Sequence, residues 1–127
     1  FAYLNEAMLD LQTRTSDTGN PLAEEVTIVV FSEMGREPRL NGWNGRDHWT
    51  FTSALLIGSG IRGGTQVGSL DETGRGRRLD LDTGEPSDSG RLMGPDDFGA
   101  TLLRLGDVDP AGVIGDDPKP INAVLQS

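Results

Sequence analysis

The chain contains no cysteine and a single histidine in 127 residues. The first absence removes disulfides, thiolate metal sites and cysteine nucleophiles together, and leaves the redox compartment open. The second excludes a multi-histidine metal centre built from these residues alone. Bases are also scarce, 11 Lys and Arg against 20 Asp and Glu, for a net charge of −9. A phosphate-backbone binder needs clustered cations to displace counterions, so nucleic acid is not an expected partner. No apolar run approaches the roughly 20 residues that cross a bilayer, so no membrane-spanning helix is expected. Apolar residues make up 35% and aromatics 6%, which is thin for a domain that must bury a core of its own. Glycine and proline, at 18 and 7, are plentiful instead.

Phe1, Leu4, Met8 and Leu11 recur at helical spacing and predict an amphipathic helix at the start of the chain. Turn formers fill residues 15–21, and VTIVVF at 26–31 then reads as a strand. Its apolar run is continuous rather than alternating, which predicts cover on both faces, as in a parallel sheet flanked by helices. A second strand is expected at 51–57 and a short third near 65–69. Residues 71–92 are polar, with Leu79 and Leu81 alternating with Asp80 and Asp82, and read as a solvent-facing excursion with an edge hairpin. A second helix is expected from Pro95, a residue suited to the first helical position, with Asp96 and Asp97 favourable to the dipole there. Phe98, Leu102 and Leu105 share one of its faces and Gly106 follows as a stop. Two helices and two or three strands do not cover both faces of so apolar a strand. The expectation is therefore that residues 1–127 are the C-terminal portion of one larger α/β domain, against the alternative of a small α+β unit.

Residues 32–64 hold the candidate chemistry. Residues 1–32 sum to −4 and 69–127 to −6, whereas 33–68 sum to +1 and are rich in glycine. Arg36, Arg39, Arg46 and Arg62 in such a segment suit an anionic ligand, or pair with nearby carboxylates. Glu33 follows the carboxyl end of the first strand, the edge at which open α/β sheets bind ligands; a cap or an ion pair with Arg36 is the other use for it. His48 lies in Arg46-Asp47-His48-Trp49, just before the second strand. An imidazole and one or two carboxylates at strand ends make a hard or borderline metal site, and a lone loop histidine is also commonly structural. No phosphate loop, dinucleotide fingerprint or nucleophile elbow is present.

The blocks SEMGREPRLNG, GRDHW and ALLIGSGIRGGTQVGSLDETG, followed by a helix opening GPDDFGATLLRLGDVDP and a tail with KPI, carry a resemblance. In that order they are similar to a large bacterial family of sulfatase-like proteins, the domain of unknown function numbered fifteen-oh-one, in the alkaline phosphatase superfamily. Family members typically read SEFGRTPR and GRDHWP at the first two blocks. This chain departs from them with Met34 for Phe, Glu37 for Thr and Thr50 for Pro.

The resemblance implies the C-terminal part of an alkaline-phosphatase-like three-layer sandwich with a mostly parallel sheet. It implies a metal-dependent hydrolase of sulfate or phosphate esters when intact. His48, with Asp47 and Glu33, would then hold a divalent ion, zinc or calcium, and Arg36 or Arg46 would hold the anion. The substrate would be a small anionic ester or a sulfated glycan, met in the periplasm or outside the cell. The nucleophile region of the superfamily has no counterpart in this sequence, so a 127-residue piece is expected to be inactive by itself. A non-catalytic extracellular binding or structural protein is the other expectation.

Overall fold

The computed structural model describes residues 1–126. Helix α1 spans Ala2–Thr13, and Leu4, Met8 and Leu11 of its expected stripe are half-buried. Strands follow at Thr27–Phe31 (β1), Gly35–Arg36 (β2), His48–Trp49 (β3) and Ala54–Gly58 (β4), and helix α2 spans Pro95–Leu105. Short 3-10 turns lie at Leu22–Glu24 and Asn122–Val124. The expected strand at 65–69 does not form.

The parallel three-layer sandwich is not what this chain builds. β1 pairs with β4 in antiparallel register, from Thr27↔Gly58 through Val29↔Leu56 to Phe31↔Ala54. β2 and β3 make a second two-stranded antiparallel sheet. The reason lies in the connection. A parallel return needs a crossover that carries the chain the full length of the strand, and a helix usually supplies it. Residues 32–53 hold no helix; they hold the β2–β3 hairpin, which brings the chain back to the end it left. Nor is β1 covered on both faces, because Val30 and Phe31 are exposed, as is Leu55 opposite Val30. A run such as VTIVVF reports apolarity, and here the neighbours that would cover it are not supplied by the described residues. Gly58 ends the sheet at φ +121, with Val26 O only 2.2 Å from where a Cβ would stand, so the turn out of β4 requires glycine there.

The core lies where a polar excursion was expected. Leu79 and Leu81 are buried with Ile121 and Ala123, and Val67 and Val124 pack around them. The alternation that pointed Asp80 and Asp82 to water also pointed the two leucines inward. Leu79 exchanges both backbone hydrogen bonds with Arg91 at 2.9 Å, and the Ala123 amide donates to Leu81 O at 2.9 Å. Asp71 and Asp80 make the tight turns on either side of this ladder. The Thr73 and Arg75 amides donate to one Asp71 oxygen at 2.8 and 2.9 Å, and the Asp82 and Thr83 amides to one Asp80 oxygen at 2.9 and 3.1 Å.

Helix α2 joins the halves. Phe98 meets Phe31 edge-on at 6.2 Å between ring centroids, on the side facing the β1–β4 sheet. The other side carries Asp97, Ala100 and Thr101, all buried. One Asp97 oxygen accepts from the Gly94 amide at 3.0 Å and caps the helix. The other accepts from the Lys119 amide at 3.2 Å and from the Arg91 guanidinium at 3.1 Å. Thr101 Oγ1 donates to Asp97 O at 2.7 Å and accepts from the Ile121 amide at 2.9 Å. The helix ends at Leu105 with Gly106 as its C-cap, as expected, although Gly106 has φ −94 and the left-handed residue is Asp107, at φ +57.

Asp97 therefore holds the helix start, the segment at Arg91 and the tail at one point. Asp97→Ala should cost about 2 to 4 kcal/mol, since it removes the cap and takes away the acceptor that the Arg91 guanidinium and the part-buried Lys119 amide share. Urea titration checks this, and wild-type stability in the variant would rule the network out as the tail's anchor.

Asp117 adds a pH-dependent tie. The Lys119 ammonium, hydrogen-bonded at 2.8 Å, holds its carboxyl below the usual carboxylate value, and Arg91 helps. A carboxyl lowered on folding contributes stability that is present above its unfolded value and is lost as pH falls through its folded one. The melting temperature should therefore fall on acidification below the ordinary carboxylate range, and Asp117→Asn should flatten part of that slope.

Candidate functional site

Of the residues singled out for anion and metal binding, Arg36, Arg39, Arg46, Asp47 and His48 fall on one hairpin, whereas Glu33 precedes it and Arg62 follows β4. In the β2–β3 pair Gly35 faces Trp49 and Arg36 faces His48. The Glu37 amide donates to Asp47 O at 2.9 Å and extends the ladder by one step. Gly35 is buried, with Phe51 O 1.7 Å from where its Cβ would stand, so the first strand can lie this close only with glycine at that point. Trp49 and Phe51 meet edge-on at 5.4 Å and wall the base of the hairpin.

Asn41 builds the tip. Its Oδ1 accepts from the Trp43 and Gly45 amides at 3.0 and 2.9 Å, and its Nδ2 donates to Asp47 Oδ1 at 2.8 Å. Its backbone amide also donates to Gly45 O at 2.9 Å, and Asn44 takes the left-handed conformation at φ +58. One short side chain thereby closes the turn and fixes the Asp47 carboxylate. Nothing in the charge or metal-ligand pattern points to Asn41; the signal was Asn-Gly-Trp-Asn-Gly, a turn-former sequence in which asparagine bonds its own downstream backbone.

The arginines brace the same hairpin. Arg36 Nη1 donates to Arg46 O at 3.2 Å. Arg46 Nη1 donates back across the loop to Glu37 O at 2.9 Å and to Pro38 O. Among the described residues neither arginine makes an ion pair, and their Nε and Nη2 groups are not engaged by protein acceptors. These groups remain for an external anion, which planar guanidinium forks suit.

Cross-strand partners project from the same face, so Arg36 and His48 stand side by side and exposed. Asp47 precedes His48 in an extended segment, so its carboxylate leaves by the opposite face, where Asn41 holds it. Glu33 is exposed in the link between β1 and β2. Among the described residues no three His, Asp or Glu side chains gather closely enough to hold a metal ion. As placed, Glu33, Asp47 and His48 do not form one shared shell. An open groove of about 410 Å³ lies elsewhere, between the end of α2 and the tail, with Arg104, Asp109, Lys119 and Asn122 in its lining. It contains none of the hairpin residues.

Compared with known families, residues 10–85 match the family described as "Protein of unknown function (DUF1501)". The chain belongs to that family. The match takes in α1's end, both sheets and the whole hairpin, and stops before α2, so the later blocks of the resemblance lie outside it. It carries the family and no activity. No curated protein and no solved structure matches the chain significantly. No helix among the described residues is long and apolar enough to cross a membrane.

The Asn41 arrangement has a direct check. Asn41→Ala removes the acceptor for two amides, so hydrogen exchange at Trp43 and Gly45 should speed up by about tenfold, the worth of one ordinary hydrogen bond. Unchanged exchange at both sites would show that the backbone holds the turn without the side chain.

Proposed function

We propose that the hairpin of residues 35–49 is the anion-recognising element of a sulfatase- or phosphatase-like protein that hydrolyses sulfate or phosphate esters outside the cytoplasm. The supporting observation is the cross-strand register that sets Arg36 opposite His48 on one exposed face. The free guanidinium N–H groups of Arg36 and Arg46 hold the ester's non-bridging oxygens. His48 is then positioned to accept or return a proton at an oxygen of the bound group. A divalent ion, zinc or calcium, would add charge at the same oxygens. Asp47 faces away and the carboxylates do not share a shell with His48, so no part of this assignment is routed through the ion.

A second assignment is a non-catalytic extracellular protein on the same hairpin, supported by the arginines' use as loop braces. Turnover of aryl sulfates and aryl phosphates by the full-length protein, with and without added zinc or calcium, separates the two. The hydrolase predicts turnover that His48→Ala abolishes and that Arg36→Ala weakens through KM by about tenfold. Metal content after dialysis should fall in His48→Ala if the ion uses that imidazole; equal content removes His48 from any ion. Failure of every ester to turn over would overturn the hydrolase and leave the binding protein.

A further inference from the structure

Trp43 is the anomaly of the hairpin. Its residue is 89% exposed, in a chain with two tryptophans in all. Exposed indoles at flexible tips are unremarkable, but this one stands on a backbone that is held. Its own amide is bonded to Asn41 Oδ1, the next residue is fixed at positive φ, and the Gly45 amide closes on the same oxygen. Below it, Arg46 ties the two sides of the loop through Glu37 O and Pro38 O. A set of hydrogen bonds thus holds the backbone that carries a large apolar ring, and the ring itself touches little of the protein, so its exposure gains nothing from folding.

The surroundings narrow what the ring is for. Gly42, Asn44 and Gly45 flank it with small or polar groups, leaving the indole face open. Leu40 is the only other large exposed apolar residue in the loop, so the tip is not an apolar patch of the size that protein interfaces or a bilayer surface use. Residues 36–46 carry Arg36, Arg39 and Arg46 against one acid, Glu37, for +2 within a chain of −9. A flat ring on the same loop as three forked cations fits a ligand with an apolar face and anionic substituents at its edge. A pyranose ring offers C–H groups on one face, and an acidic sugar adds sulfate or carboxylate for the guanidinium N–H groups.

We propose that Trp43 is a stacking platform for one ring of an acidic polysaccharide, whose anionic groups are taken by Arg36, Arg39 and Arg46. This rests on the anion-recognising role of the hairpin and extends it from a single ester group to the chain that bears it. Because Asn41 holds the backbone of residue 43 and not its side chain, Trp43→Ala leaves the loop's hydrogen bonds in place.

The test is isothermal titration calorimetry on the intact protein with oligosaccharides of a sulfated galactan, of a polyuronate and of a neutral galactan, together with anionic lipid vesicles. The expected result is binding to one or both acidic oligosaccharides that weakens with salt, and weak or no binding to the neutral one. Which acidic sugar binds identifies the substituent. Trp43→Ala should lose about tenfold in affinity with an unchanged melting temperature, and Trp43→Phe should recover part of it. Equal binding by wild type and Trp43→Ala, equal binding of the neutral sugar, binding only to vesicles, or no binding to any acidic sugar overturns the proposal. Failure of ester turnover with Trp43-dependent binding intact removes the hydrolase and keeps the platform. Turnover that is unaffected by Trp43→Ala, with no oligosaccharide binding, does the reverse.

Discussion

One buried carboxylate sets the geometry of the C-terminal half. Asp97 is 1% exposed, and its two oxygens serve a helix cap, a guanidinium and a tail amide. A carboxylate in that position is tolerable only because both of its oxygens are directed at donors. Once it is fixed, α2 has a defined start, Thr101 a turn later reaches Ile121, and the tail is carried onto Leu79 and Leu81. The apolar cluster is small, so polar connections do more of the positioning than in a larger domain.

The N-terminal half has no comparable centre. α1 buries no residue, and the β1–β4 sheet leaves Val30, Phe31 and Leu55 in water. Its links to the rest include the Phe31–Phe98 contact and the turn after β4, where the Gln126 amide bonds Gly60 O at 2.8 Å and the Arg62 amide bonds Val124 O at 2.8 Å. The last residues of the described chain therefore serve both halves, closing the small core with Ile121 and Ala123 and stapling the sheet's end with Gln126.

What could be read in advance follows from which interactions are local. α2 was legible because proline, two acids and the Phe98, Leu102 and Leu105 stripe are all signals within one helix. β1 was legible as a strand but not in its pairing, since partner and direction depend on what the intervening residues do, and a hairpin there is marked only by two dipeptides. Leu79 and Leu81 show the cost of averaging: the segment is polar in sum, and the pair that matters is visible only in its alternation. At the hairpin, Arg36, Arg46 and His48 were singled out by chemical type. That Arg36 and His48 share a face was not legible, because it depends on a one-residue choice of register. Asn41 escaped notice since a neutral side chain that bonds backbone leaves no trace in charge or hydropathy.

The way Arg46 is held has an electrostatic consequence. An arginine paired with a carboxylate gives up its charge to the pair, and little of its field extends beyond. Arg46 instead is ligated by the carbonyl oxygens of Glu37 and Pro38, peptide dipoles that orient the guanidinium while carrying no net countercharge. Its full unit of charge remains available to the solvent side, fixed in direction. On a molecule whose acidic periphery repels anions from afar, such an unquenched cation at a rigid loop acts as a local sink in the potential. Encounter of an anion with this face should then be governed by ionic strength through approach rather than through residence.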